Sequence, residues 1–275
     1  MNNRERWAAA VFSALLERER PSDFFRALLA SGEMGDALPE LTACVGVPQN
    51  PFYHPEGDVF EHTMLVVDCA AALRERAQNS LGFMLSALAH DLGKAVATGI
   101  RPDGRITAYG HELVGRPLCR AMLGRLTEDA GLIDYVDNMV WLHMRPNILA
   151  KCHSKKKKTR RMFDLSVCPE DLILLSRADA SGKLDAPYDE ACEAFLRQRL
   201  EDYRQVMALP MVTRADLIAA GMASGQALED ALDRARQLHF SGLDHKRALA
   251  RVTTEAACQR RRPGVSAEMN ETRQK

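Results

Sequence analysis

Apolar residues recur at helical spacing along nearly the whole chain. Trp7, Ala10, Val11, Ala14 and Leu15 form one such stripe, and the three-to-four-residue spacing marks a helix with one buried face. Ser22 stands as a candidate N-cap before Phe24, Phe25, Leu28 and Leu29. Gly32, Gly35, Pro39 and Gly46 then interrupt the period, and Pro48 to Gly57 (PQNPFYHPEG) is dense in turn formers, so a loop is expected there. Periodicity returns at Asp58, a candidate N-cap for a helix reaching about Arg76, and again from Asn79 or Ser80 to near Gly93. A Pro-Asp-Gly turn at 102–104 follows. Further helices are expected over 111–126, 130–144, 169–181 and 187–208, with Pro210 as a stop, and over 214–221, 225–239 and 244–257. The tail from Arg260 lacks periodicity and is expected to be disordered. No strand pattern competes, so the fold class is all-α.

Composition narrows this picture without redirecting it. The 275 residues are 46% hydrophobic and 27% charged but only 6% aromatic, which favours helices over a sandwich of strands. No apolar stretch approaches the roughly 18 residues of a membrane span, and no membrane association is expected. Asn2, Asn3, Arg4 and Glu5 leave no apolar leader core at the N-terminus. Seven scattered cysteines with no Cys-x-x-Cys argue against a disulfide framework or zinc knot, and a cytoplasmic location is expected. With 37 basic and 37 acidic residues the net charge is zero, so nucleic-acid binding would need a local patch. Lys151, Lys155, Lys156, Lys157, Lys158, Arg160 and Arg161 form one, read either as a solvated loop or as a contact to RNA phosphates.

The candidate chemistry lies in histidines and aspartates placed on apolar stripes. His62 shares a face with Leu65, Val66, Cys69 and Leu73. His90 and Asp91 end a helix whose inward face is Leu81, Met84, Leu85 and Leu88. His143 follows Val136, Met139 and Val140; Asp179 follows Leu172, Leu175 and Ser176; His111 opens a helix. One inward histidine is usually a hydrogen-bonded core residue. A buried aspartate is costly unless paired or bound to a metal, and imidazole with carboxylate suits Mn, Fe, Ni, Co or Zn. Composition and spacing alone leave a metal site and a set of satisfied core residues both open.

The series His62, His90-Asp91 and Asp179, within the strings EHT, AHDLGK and SRADASG, resembles the H…HD…D signature of the HD-domain metal-dependent phosphohydrolases. His111 in YGHELVG and His143 in WLHMRP resemble the two additional histidines of its phosphodiesterase-type members. The run PELTACVGVPQNPFYHPEGDVFEHTMLVVD and the later LPMVTRADLIAAGMASGQALEDALDRARQLHFSG resemble the HD and C-terminal portions of bacterial CCA-adding tRNA nucleotidyltransferases. The Gly-Ser turn and paired aspartates of that family's nucleotidyltransferase head have no counterpart here. The resemblance implies an HD helical bundle over 51–208, flanked by a helical extension at 1–50 and a small helical module at 209–259, with 260–275 as the tail.

It also implies one or two divalent ions (Mn, Ni, Co, Fe, Zn or Mg), with His62, His90, Asp91 and Asp179 holding the first. Asp91 would bridge to a second completed by His111 and His143. Lys94, one turn after the pair, is the expected phosphate-binding or Asp91-orienting lysine, with a solvated surface lysine as the alternative. Glu112 is a candidate to support His111, and Arg145 a candidate phosphate contact. The implied activity is hydrolysis of phosphomonoesters or phosphodiesters, with 2′,3′-cyclic nucleotides or RNA ends as substrates. Two alternatives stand beside it: a non-catalytic tRNA- or RNA-binding relative that uses the basic run, and an HD-fold di-iron oxygenase. The Gly-Tyr-Pro signature of the cyclic-dinucleotide branch is absent.

Overall fold

The computed structural model describes residues 3–184 and 188–260; the expected disordered tail lies outside the described residues except for Arg260. The fold is all-α, with one two-stranded hairpin. In chain order the elements are α1 (Asn3–Glu17), α2 (Ser22–Ala30), α3 (Met34–Ala37), α4 (Pro39–Thr42), α5 (Val59–Ala71) and α6 (Ser80–Ala89). Next come α7 (Lys94–Ala97), β1 (Gly99–Ile100), β2 (Ile106–Thr107), α8 (His111–Leu126), α9 (Ala130–Leu142) and α10 (Met144–Lys151). The remainder is α11 (Lys156–Leu165), α12 (Pro169–Ser181), α13 (Glu190–Met207), α14 (Arg214–Ala219), α15 (Gln226–Phe240) and α16 (His245–Arg260).

Two compact units emerge. Among the described residues, one is built from 3–154 together with 162–184 and 188–200, the other from 155–161 with 201–260. Of the three boundaries, the first lies just before α11 and the other two fall inside helices, α11 and α13. Residues 3–50, read from the sequence as an extension, pack within the first unit, α1 lying against α6, α8 and α5. The second unit has its own core of Leu217, Met222, Leu228, Ala231, Ala235, Leu238, Ala248 and Val252.

In the first unit α6 is the central rod. Its residues 82–89 are all buried, and a helix apolar on every side must be enclosed by neighbours. Helices α5, α9, α12 and α1 enclose it. Capping sets where the helices begin. The Asp58 carboxylate accepts the Glu61 N–H at 2.8 Å and the Gly46 N–H at 2.6 Å, which ties the start of α5 to the preceding loop. The Asn79 side chain accepts from Gly82 N at 2.9 Å. Buried Asp171 on α12 accepts from Gln78 N, Asn79 N and the Tyr135 hydroxyl at 2.8, 3.0 and 2.6 Å, locking α6, α9 and α12 together through one satisfied carboxylate.

Two glycines allow backbones to touch where the site forms. A Cβ on Gly93 would sit 2.0 Å from the His111 carbonyl oxygen and 2.7 Å from Gly115 N. A Cβ on Gly182 would meet Val66 N at 2.9 Å. The first contact brings the turn after His90-Asp91 onto the start of α8. The second brings the end of α12 onto α5.

Three local expectations need correction. Ser22 is not an N-cap: it is the first residue of α2, with its N–H and hydroxyl bonded to Asp68 at 3.0 and 2.6 Å, because a long-range acid outcompetes the local cap. The 79–93 and 130–144 helices stop at Ala89 and Leu142, so His90 and His143 terminate them. The basic run is not a loop: Lys156–Leu165 is helical. Arg160 is buried there, bonding Asp202 at 2.7 Å and the Phe240 carbonyl at 2.9 Å, and Lys156 reaches Asp202 at 2.6 Å. A fixed acid partner supplies what the sequence period could not.

Gly93→Ala forces a side chain into backbone that cannot yield as a side-chain tip would. The expected loss is about 1–3 kcal/mol or more, read as a lower urea midpoint for unfolding of the full chain, with Gly99→Ala, where nothing lies within 4 Å, as the mild control.

Candidate metal centre

His90 caps the C-terminal end of α6, His143 the C-terminal end of α9, and His111 is the first residue of α8. At these helix ends each ring reaches the carbonyl three residues back. The Nδ1 atoms of His90, His111 and His143 lie 2.9, 2.7 and 2.7 Å from the carbonyl oxygens of Ala87, Ala108 and Val140. A carbonyl only accepts, so each Nδ1 carries the proton and each Nε2 is left with a lone pair. The Nε2 atoms of His111 and His143 are nevertheless 3.2 Å apart. Two lone pairs at that distance repel unless a proton or a cation lies between them.

Asp91 sits at the centre, 2% exposed. Its Oδ2 lies 3.1 Å from His90 Nε2 and 3.7 Å from His62 Nε2; its Oδ1 lies 3.2 Å from His111 Nε2 and 3.7 Å from His143 Nε2. Asp179 Oδ1 is 3.3 Å from His62 Nε2. All six residues named from the sequence therefore meet. They form two groups able to hold a cation, His62–His90–Asp179 and Asp91–His111–His143, and one oxygen of Asp91 is turned toward each. Asp91 Oδ1 and the Nε2 atoms of His62 and His90 are buried without a hydrogen-bond partner among the described residues, and Asp91 Oδ2 has the Lys94 ammonium beside it. Such atoms are costly unless something binds them. The donor set and the unmet atoms both fit divalent metal.

The electrostatics agree. Burial opposes ionisation of Asp91, but His90, Lys94, His111 and His143 around it hold its carboxyl well below the usual carboxylate range. Asp179 is likewise held well below that range, against burial, by His62 and Lys183. Burial disfavours charge on His90 and His111, yet Asp91 raises both. His143 is lowered, chiefly by burial. Two carboxylates thus stay negative although buried, an arrangement that attracts positive charge.

Lys94 is buried, not solvated. Its Nζ lies 2.7 Å from Asp91 Oδ2 and donates to Gln49 Oε1 at 2.7 Å, so one of its three protons is free of these partners. Lys94, His54 and Met144 line two cavities that adjoin the site, of about 620 Å³ and about 360 Å³. Asp91, His143, Asp179 and Lys151 line the smaller, Lys183 with them; His111 lines the larger.

Two other expected residues are not brought to the cluster. The Arg145 guanidinium stacks 5.0 Å over the Trp141 ring and lines neither cavity. Glu112 approaches His111 Nδ1 only to 3.9 Å, and that nitrogen is already given to Ala108. Lys155, Lys156, Lys157 and Lys158 belong to the second unit.

Sequence reasoning missed Glu56 and His54. Glu56 Oε1 lies 2.7 Å from His62 Nδ1 and 2.8 Å from His54 Nδ1, with no exposed side-chain surface. Burial would raise the Glu56 carboxyl, but bonds to His62 and His54 hold it at about 2. Burial and nearby Lys94 push His54 down to about 4. The signal was present in HPEG, but those turn formers read as loop punctuation.

Residues 59–181 match the HD domain family. The chain carries an HD domain. The curated relatives are named "Multifunctional CCA protein". That of Alkalilimnicola ehrlichii is 34% identical over 230 residues, 81% of this chain and 52% of the relative. Those of Chromobacterium violaceum and Methylococcus capsulatus are 32% and 29% identical, covering 80% and 90% of this chain but 52% and 56% of themselves. The chain spans about half the length of the curated relatives it matches. HD domains are a metal-dependent phosphohydrolase superfamily that binds divalent metals, and this HD domain has histidine-aspartate groups that could hold one. No helix among the described residues is long and apolar enough to cross a membrane.

A carboxylate behind a ligating imidazole fixes its tautomer and raises its basicity. Glu56→Gln is expected to weaken Mn²⁺ binding about 10- to 100-fold in isothermal titration while leaving the far-ultraviolet circular dichroism of the helices unchanged. Equal affinity in the two proteins would remove Glu56 from the centre.

Proposed function

We propose that this chain is a metal-dependent phosphohydrolase that cleaves phosphomonoesters or phosphodiesters, 2′,3′-cyclic nucleotides and RNA ends among them. The observation that carries the reading is Asp91, whose two buried oxygens each face a separate group of imidazole lone pairs. On this reading His62, His90, Asp91 and Asp179 hold one divalent ion, and Asp91, His111 and His143 hold a second. A bound divalent ion supplies hydroxide at neutral pH and neutralises charge on phosphate oxygens.

The chain's own residues do the rest. The Ala87, Ala108 and Val140 carbonyls keep three Nε2 lone pairs aimed inward, and Glu56 does the same for His62. Lys94, pinned between Asp91 and Gln49, offers a proton donor to a phosphate oxygen arriving from either cavity. The burial of α5, α6, α9 and α12 keeps bulk water from the inner side of the site, where it would weaken each electrostatic contact.

A second reading, RNA binding without catalysis, draws on the relatives' printed name and on Lys155, Lys157 and Lys158, which are exposed. The two readings separate by mutation. Asp91→Ala is expected to reduce Mn²⁺-supported hydrolysis of bis(p-nitrophenyl) phosphate and of 2′,3′-cyclic AMP to background, and to lower the bound metal measured on the same sample. Replacing Lys155, Lys157 and Lys158 by Ala is expected to leave that hydrolysis intact. If RNA is bound there, the triple variant lowers the salt dependence of RNA affinity by about 0.7 for each phosphate it no longer neutralises. Unchanged hydrolysis in Asp91→Ala would refute the phosphohydrolase reading.

A further inference from the structure

The larger cavity carries aromatic rings that the packing of the fold does not use. Phe52 and Tyr53 line it from the loop before α5, and Tyr109 lines it from the turn between β2 and α8. Their exposures are 83%, 61% and 79%. Rings of this size normally contribute most when they are buried in a core. Three of them left in water around one concavity mark a place where something else covers them. Phe52 and Tyr53 are held edge to face, ring centroids 4.9 Å apart, and the Asn50 side chain fixes the turn by accepting the Phe52 N–H at 3.0 Å. Across the cavity, the β1–β2 hairpin pairs Gly99 with Thr107 and Ile100 with Ile106, so the segment leading to Tyr109 is also anchored.

Two further features limit the occupant. Lys94 and His111 both line this cavity, His111 as a member of the candidate metal centre and Lys94 as the partner of Asp91, so the aromatic region is continuous with the place where a phosphate would sit. Arg105 adds positive charge to the wall. The occupant must therefore join an anion to a flat apolar group, and a volume of about 620 Å³ lies within the roughly 300–1,000 Å³ usual for small-molecule sites.

Resting on the phosphohydrolase reading, we infer that this cavity is a nucleobase subsite: the base of a nucleotide or RNA end stacks on Phe52 and Tyr109, with Tyr53 behind Phe52, while its phosphate reaches the centre beside Lys94. Stacking accepts any base face. The site therefore selects nucleosides over bare sugar phosphates and discriminates weakly among bases.

The test uses the full chain and the Phe52→Ala/Tyr109→Ala double variant, with Phe52→Trp as the conservative replacement. Both altered positions are exposed, and circular dichroism checks that the fold is kept. Adenosine, which needs neither metal nor phosphate, is the first probe, followed by saturation-transfer NMR and titration. Its affinity is expected to fall about 10-fold or more in the double variant and to persist in Phe52→Trp. With Mn²⁺ present, the parent's preference for AMP over ribose 5-phosphate in kcat/KM is expected to collapse in the double variant. Adenosine that fails to bind the parent, or binds both proteins equally, overturns the subsite. So does self-association of the parent in sedimentation that is lost in the double variant while adenosine fails to bind, which would assign the rings to a second copy of the chain. Failure of hydrolysis in every protein, with adenosine still bound through the rings, would count against the phosphohydrolase reading and leave the base subsite standing.

Discussion

A buried, ionised carboxylate governs the first unit. Asp91 is 2% exposed and held well below the usual carboxylate range, and removing such a charge from solvent costs several kcal/mol unless it is compensated. Compensation comes from Lys94 on one side, and the four imidazoles divided between its two oxygens aim their Nε2 atoms at the same point, where a cation would supply the rest. Those imidazoles come from α5, α8 and the C-terminal ends of α6 and α9. The helices must therefore converge at one point, and the close approach at Gly93 is a condition of that convergence.

Helix ends, more than helix faces, build this point. At a helix terminus the backbone leaves carbonyl groups without intrahelical partners, and a histidine there can donate Nδ1–H to one of them. His90 and His143 do so at Ala87 and Val140, and His111, at the start of its helix, does the same to Ala108 in the preceding turn. Backbone thereby does the orienting that carboxylates do in many metal sites. Only His62, which lies within α5, needs a carboxylate, and the loop before α5 supplies it as Glu56. The same loop carries Phe52 and Tyr53 into the larger cavity, so one irregular segment both supports the centre and shapes its approach.

The second unit stands on different physics. Its core is a modest set of apolar residues on α14, α15 and α16, with Met222 from the turn between α14 and α15, opened by a capping box in which Thr213 and Asp216 satisfy one another's backbone N–H groups. Arg160 and Lys156 of the basic run are committed to Asp202. The charge left to meet a partner is therefore smaller than a count of lysines and arginines suggests.

Much of this was legible in the chain. Helical period and capping residues such as Asp58 and Asn79 located the helices, because those signals act over a single turn. Inward aspartates and histidines on apolar stripes left a metal site and a satisfied core both open; the resemblance to the HD series, with two additional histidines, singled out the six residues that the fold brings together. What the sequence could not determine was anything set by contact across long separations. Ser22 reads as a cap until Asp68 is seen to claim it; Lys156 and Arg160 read as a solvated run until Asp202 is seen beside them. Glu56 lies shortly before His62 in a string of turn formers, and its role arises only when the loop folds back on α5. Lys94 likewise became a buried donor only through Gln49, 45 residues away. Period and capping are written locally in the chain, whereas the partner of a buried charge is chosen by packing, and packing is a property of the whole fold.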